Sequence, residues 1–461
     1  MSTPPCTVQG LRRKWLGHWV RACAKAFGVV LLVSSSQGCK SDRSVPDRPE
    51  AAPPATSPDV APPASERELP AAAPFGPLST EELRPLAQSA NAFAFDLFTK
   101  LKSTKDNFVL SPASLFAALT MIGAGARSRT EAEMKTVLHT EGPLDTSLGT
   151  AGKFFASFRH APKGAVLEFA NRLFGEKTYA FEEAYIRRTQ EAFGAAMAPL
   201  DFQGAPEQAR VQVNQWALDQ TKGRISDLLP AGSISGDTRL VVASAIHLTA
   251  DWAKPFEKMQ TTPAPFQPKA MPSHPVSTMH AEGQFAFAAT EDLKLLELRY
   301  AAGDWVMTFI LPDKIDALDG VEGKLPHSFA RWISRLKVEP VTVTLPKFAI
   351  EPSRSFSLSS TLKTLGMTSA FDPKRADFAG IAKPPSSGEG VYLSEVFHKA
   401  FLRVDEKGTE AAAATGALAA AGAASPGGLE FRADHPFLFA LRHAPSGLIL
   451  FLGRVADPAL K

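Results

Sequence analysis

From Thr80 onward the chain alternates between two hydrophobic periods. Leu86, Ala90, Phe93, Ala94, Leu97 and Phe98 recur at helical spacing, which predicts an amphipathic helix over residues 83–101. Ser111 followed by Pro112 supplies the cap and first turn of a second helix. Residues 239–248 (RLVVASAIHL) and 305–311 (WVMTFIL) are short continuous apolar runs and read as buried strands. Residues 338–348 alternate like a strand with one wet face, and 358–365 return to the helical period. Residues 436–455 give two strands, PFLFALRH and LILFLGRV, around the turn formed by 444–447. Helices and strands mix without a βαβ rhythm or an internal repeat, so the expected class is α+β.

The chain before Thr80 follows neither period. Residues 40–78 are almost all Ala, Pro, Ser and charge, too poor in apolar side chains to offset the entropy of ordering, and they read as a tether. Residues 1–39 resemble an export signal, with Arg12, Arg13 and Lys14 ahead of the apolar stretch AFGVVLLV. SSSQGC then ends at Cys39, similar to a bacterial lipoprotein box in which that cysteine takes the lipid. Plain secretion with Cys39 unmodified stays open, as does a twin-arginine signal at Arg12-Arg13. The folded unit is therefore expected over residues 79–461, in an exported protein of the cell envelope or extracellular space.

Composition narrows the chemistry. Of 461 residues 44% are hydrophobic and 21% charged, a globular balance, and the excess among the 37 prolines is local, with 10 of them in residues 40–78. A net charge of +3 gives no field that would call for nucleic acid. All three cysteines, Cys6, Cys23 and Cys39, precede residue 40, so the folded part has no disulfide framework. Ten histidines are scattered singly, and no nucleophile elbow, metalloprotease or phosphate-loop motif occurs. From these absences no metal, no cofactor and no enzyme are expected.

Several segments, in order, resemble the serpin family across roughly residues 80–458. They are NFVLSPAS (107–114), ANRLFGEKTY (170–179), VNQWALDQTKGRISDLL (213–229), ADFAGI (376–381), FRADHPF (431–437) and LFLGRVADP (450–458). The resemblance implies a fold of three mixed β-sheets surrounded by about eight to nine helices, with an exposed reactive loop. It implies a monomeric inhibitor of serine-type proteases that traps its target as a covalent acyl complex by inserting the cleaved loop into a sheet. A non-inhibitory serpin acting as a binding or chaperone protein is the alternative.

The hinge of such a loop matches VDEKGTEAAAAT: Glu406, Gly408, Thr409, Glu410, Ala411, Ala412, Ala413, Ala414 and Thr415. An alanine run alone would read as helix or linker; its flanking segments make it a hinge. Thr409, Ala411, Ala413 and Thr415 share one face of a strand, all small and uncharged, and that face is assigned to the core. Glu410, Ala412 and Ala414 share the other. Gly408 is expected to supply a bend. Thr409 is expected to be exposed in the uncut protein, where arginine would be harmless.

The resemblance also assigns a seam, or shutter, to Ser111, Ser114 and His398. Ser244 stands where the family usually has asparagine, which implies a weaker or water-filled latch. Trp252 matches the tryptophan at the mouth of the seam. Counting sixteen positions on from Glu406 places the bait bond at Gly422–Ala423, among small residues only. Elastase-like or subtilisin-like proteases are the expected targets.

Overall fold

In this computed structural model the described residues are 78–101, 106–157, 165–194, 197–383, 390–409 and 428–460. The predicted signal and nearly all of the tether lie outside them. The described helices are α1 (Thr80–Leu101), α2 (Pro112–Gly123), α3 (Ser128–Val137), α4 (Leu144–Ser157), α5 (Glu183–Phe193), α6 (Pro206–Gln220), α7 (Leu318–Ile333) and α8 (Ser359–Leu365).

One sheet runs in the order β11 (Phe348–Ile350), β14 (Leu393–Val404), β15 (Gly408–Thr409), β5 (Leu240–Asp251), β2 (Ala165–Glu176) and β4 (Ala198–Leu200), with β12 (Phe356–Ser357) against β14. A second runs β1 (Phe108–Leu110), β18 (Ile449–Val455), β17 (Phe437–His443), β9 (Trp305–Pro312), β8 (Leu293–Arg299), β7 (His274–Ala289), β10 (Lys337–Pro346) and β16 (Leu429–Arg432). On it, β6 (Thr262–Phe266) pairs with β7, and β3 (Ala180–Phe181) and β13 (Ala382–Lys383) make a third, small sheet. This is the α+β arrangement of three sheets and surrounding helices expected from the sequence.

The apolar run of β5 needs no alternation because both of its faces are covered. Leu240, Val242, Ile246, Leu248 and Ala250 join the main core, while Val241, Ala243 and Ala245 pack under Val213 and Ala217 of α6. Helix α2 is buried at every position, which fits its apolar circumference. Ser111 caps it, its hydroxyl accepting from Ser114 N–H at 3.3 Å, and Pro112 occupies the first turn. That cap fixes the end of α2 directly against the seven-stranded sheet.

Buried charge is handled by pairing. Arg442 of β17 meets Glu297 of β8, and Arg454 of β18 meets Glu322 of α7 at 3.1 Å. Glu133 of α3 accepts from the backbone N–H groups of Ser369 (2.6 Å) and Thr368 (2.8 Å), the Ser369 hydroxyl and the Arg129 guanidinium. Burial pushes this carboxyl up, but those hydrogen bonds outweigh it and hold it at about 2.

A folded-state pKa below the unfolded 4.5 means Glu133 stabilises the protein above that pH and loses its contribution as pH falls toward 2. Glu133→Ala is expected to cost about 2–3 kcal/mol at neutral pH. In urea unfolding, its difference from wild type should shrink steadily below pH 4.5.

Candidate functional site

Strands β14 and β5 run parallel and pair from Leu393/Leu240 up to Phe401/His247. Above that fork a short strand enters between them. Gly408 and Thr409 lie opposite Asp251 and Ala250 of β5, and Thr409 lies opposite Val404 of β14, antiparallel to both. The sheet is thus closed along its lower seam and already wedged open at its mouth.

The lower seam carries a buried polar chain. Ser111 N–H donates to His398 Nε2 at 3.0 Å, so that nitrogen is bare and Nδ1 carries the proton. Nδ1–H then donates to Ser244 Oγ at 3.1 Å. Ser114 Oγ–H donates to Asn171 Oδ1 at 2.9 Å, which leaves Ser244 to donate to Ser114 Oγ at 3.1 Å. Asn171 Nδ2 closes the chain on the Ser114 carbonyl at 3.1 Å. Ser111, Ser114, Ser244 and His398 each have no exposed surface. Burial pushes the imidazole down to about 3, against the opposing hydrogen bond at Ser244.

Asn171 was missed by the sequence reading and corrects it. The amide that Ser244 does not supply comes from the next strand, where Asn171 is the register partner of Ser244. The signal was present: Asn171 lies two positions before the core residue Leu173, so a polar side chain points into an apolar face. The expected weaker or water-filled latch is replaced by a complete one.

At the mouth, Trp252 stacks on Tyr300 with centroids 4.4 Å apart and an interplanar angle of 23°. Its indole N–H donates to Asp405 O at 3.0 Å, and its backbone N–H to Lys407 O at 2.7 Å. Glu406 is 4% exposed and pairs with Lys347 at 2.9 Å, while Thr261 Oγ donates to it at 2.9 Å. Burial raises this carboxyl, and the Lys347 and Thr261 hydrogen bonds bring it below its ordinary value. His247, at the fork, packs its ring against Phe401 with centroids 5.6 Å apart.

Two expectations about the hinge need correction. Thr409 is not exposed: it has no accessible surface, and its hydroxyl hydrogen-bonds the Tyr300 hydroxyl at 2.5 Å. Gly408 does not act as a bend. A Cβ there would lie 1.9 Å from the Ala250 carbonyl oxygen, so glycine is required by close approach to β5. Glu410, Ala411, Ala412, Ala413, Ala414 and Thr415, the bait pair Gly422 and Ala423, and Cys39 lie outside the described residues. Among the described residues no cluster of side chains suits a metal ion.

A seam that has begun to accept a strand from its own chain is what known proteins clarify. Residues 88–458 match the family model described as Serpin (serine protease inhibitor). The chain belongs to the serpin family. A leukocyte elastase inhibitor of Sus scrofa is 38% identical over 387 residues, covering 81% of this chain and 99% of that protein. The crystal structure of Serpin48 from Tenebrio molitor superposes with a TM-score of 0.71 at 30% identity, covering 81% and 98%. Human thyroxine-binding globulin, solved with its hormone, gives a TM-score of 0.71 at 26% identity, covering 82% and 99%. The expectation of no enzyme, drawn from missing motifs, is corrected in its ground: an absent motif decides nothing, whereas the relatives are named as inhibitors of a protease.

Two outcomes follow from the geometry. Thr409→Arg would force an unpaired charge into the sheet or eject the hinge, so the uncut variant is expected to melt several degrees lower. Melting equal to wild type would show that the hinge lies outside the sheet in solution. For His398, a folded pKa below the unfolded 6.5 means that its contribution is complete above that pH. It is lost as pH falls from 6.5 toward 3, with a slope of at most about 1.4 kcal/mol per pH unit. Urea midpoints at pH 7.5 and 5 should therefore differ more in wild type than in His398→Asn.

Proposed function

We propose that this serpin inhibits serine proteases by loop insertion, the general device of its family. A protease cleaves the bait bond, the hinge continues into the seam as a new strand, and the acyl-linked protease is carried off and disabled. The observation that supports this most is the register of Gly408 and Thr409 between β14 and β5. Continued downward, that register sets Ala411 between Leu248 and Leu402 and Ala413 between Ile246 and Ala400. Thr415 then arrives between Ser244 and His398. Both neighbouring strands give the same alignment, and every partner lies on the core face.

The chemistry along that path suits insertion. Small uncharged residues enter a closed core with little desolvation, and Thr415 brings a hydroxyl to the point where the Ser244–His398 hydrogen bond must part. The small residues around Gly422–Ala423 suit an elastase-like or subtilisin-like target, and the Sus scrofa relative is named for leukocyte elastase. A serpin that binds a ligand instead of a protease is the second reading, supported by the likeness to thyroxine-binding globulin. We also propose export through residues 1–39, with a lipid on Cys39 and residues 40–78 as spacer.

Purified protein mixed with pancreatic elastase or subtilisin is expected to give an SDS-resistant complex, and trypsin little or none. Thr415→Arg should be cut as a substrate while the protease stays active, whereas Glu410→Ala, on the opposite face, should still trap. Cleavage without complex by wild type would favour the binding reading. Palmitate label should appear on the mature protein and vanish in Cys39→Ser.

A further inference from the structure

Residues 398 and 399 are neighbours on β14 and point to opposite faces of the sheet. His398 reaches across the seam on the core face. Lys399 does so on the other: its Nζ donates to the carbonyl oxygen of Ser226 at 3.0 Å, in the segment that leads from α6 into β5. Lys399 is 8% exposed, and among the described residues this is its hydrogen bond, leaving two of its three N–H groups unused.

Those groups face a cavity of about 420 Å³. Arg224, Ser226, Asp227, Glu351, Ser353 and Lys399 are among its lining, and of these six Lys399 alone is buried, which makes it the floor. The volume lies in the range that holds small molecules. Asp227 and Glu351 are exposed at the rim, and Asp227 is held in a left-handed conformation at φ 48°. Burial lowers the Lys399 pKa, and the charges of Asp227 and Glu351 act against that through space. The lining thus carries two cationic side chains, Lys399 and Arg224, and two carboxylates, Asp227 and Glu351, so a ligand bearing both charges suits it better than a bare anion or a bare cation.

We propose that this cavity binds a small zwitterion of the size of an unblocked dipeptide, its carboxylate on Lys399 Nζ and its ammonium between Asp227 and Glu351. Such a ligand adds a second tie from β14 to the segment entering β5. It therefore opposes parting of the seam and slows trapping, a consequence that rests on the inhibitory reading above.

Calorimetry with uncut full-length protein and alanyl-alanine tests the site without any protease. Saturable binding is expected, weakened about tenfold or more by Lys399→Met or by amidating the dipeptide carboxylate. Glu351→Gln, at an exposed position that leaves the fold intact, and acetylation of the dipeptide amine should each weaken it several-fold. No saturable binding to wild type, or equal binding to Lys399→Met and Glu351→Gln, overturns the site. If alanyl-alanine binds but leaves the rate of complex formation with elastase unchanged, the tie across the seam is overturned. If no complex forms even without dipeptide, inhibition fails while the binding result stands.

Discussion

The whole arrangement depends on an imidazole kept neutral in the interior. His398 must present a bare Nε2 to Ser111 N–H, because a proton there would set two donors face to face. That requirement fixes the direction of every hydrogen bond from Nδ1 through Ser244 and Ser114 to Asn171. The chain joins α2, β2, β5 and β14, so one protonation state holds a helix and three strands in register. Burial supplies the neutral form, since solvating a charged ring here would mean opening the sheet.

Above the fork the same sheet is held differently. Thr409, Tyr300 and Trp252 are stacked and hydrogen-bonded under the hinge, while Lys347 and Thr261 grip Glu406. The mouth is thus occupied by the chain itself, and the lower seam by side-chain hydrogen bonds that a strand would displace. Closed and open halves meet at His247 and Phe401, where direct pairing of β14 with β5 stops. Small side chains at the hinge matter only because this boundary exists.

Periodicity made the elements legible. The run 239–248 became β5, Ser111-Pro112 became the cap and first turn of α2, and the two C-terminal runs became β17 and β18. Of the hinge face assigned to the core, Thr409 alone lies among the described residues, and its hydroxyl meets Tyr300 there. What periodicity could not show was how far the hinge stands within the sheet, because a two-residue strand leaves no periodic trace. Nor could it show that Asn171 stands beside Ser244. The two are separated by 72 residues of intervening chain and meet through the pairing of β2 with β5. The need for glycine at 408 was legible, but its cause was a backbone contact and not a turn.

The hairpin of β17 and β18 lies near one edge of the nine-stranded sheet, between the edge strand β1, from near the start of the folded unit, and β9. During synthesis, β1 and β9 must therefore wait with unpaired edges until residues 437–455 have left the ribosome. Contacts of such long sequence separation form slowly, and exposed strand edges in the interval are sites of misassembly. The hinge and bait segments emerge just ahead of the hairpin. If the hinge inserts as proposed, the nascent chain would hold that segment before the piece that completes the other sheet has arrived, and the order of the two closures would be a matter of kinetics, not of the stability of the finished fold.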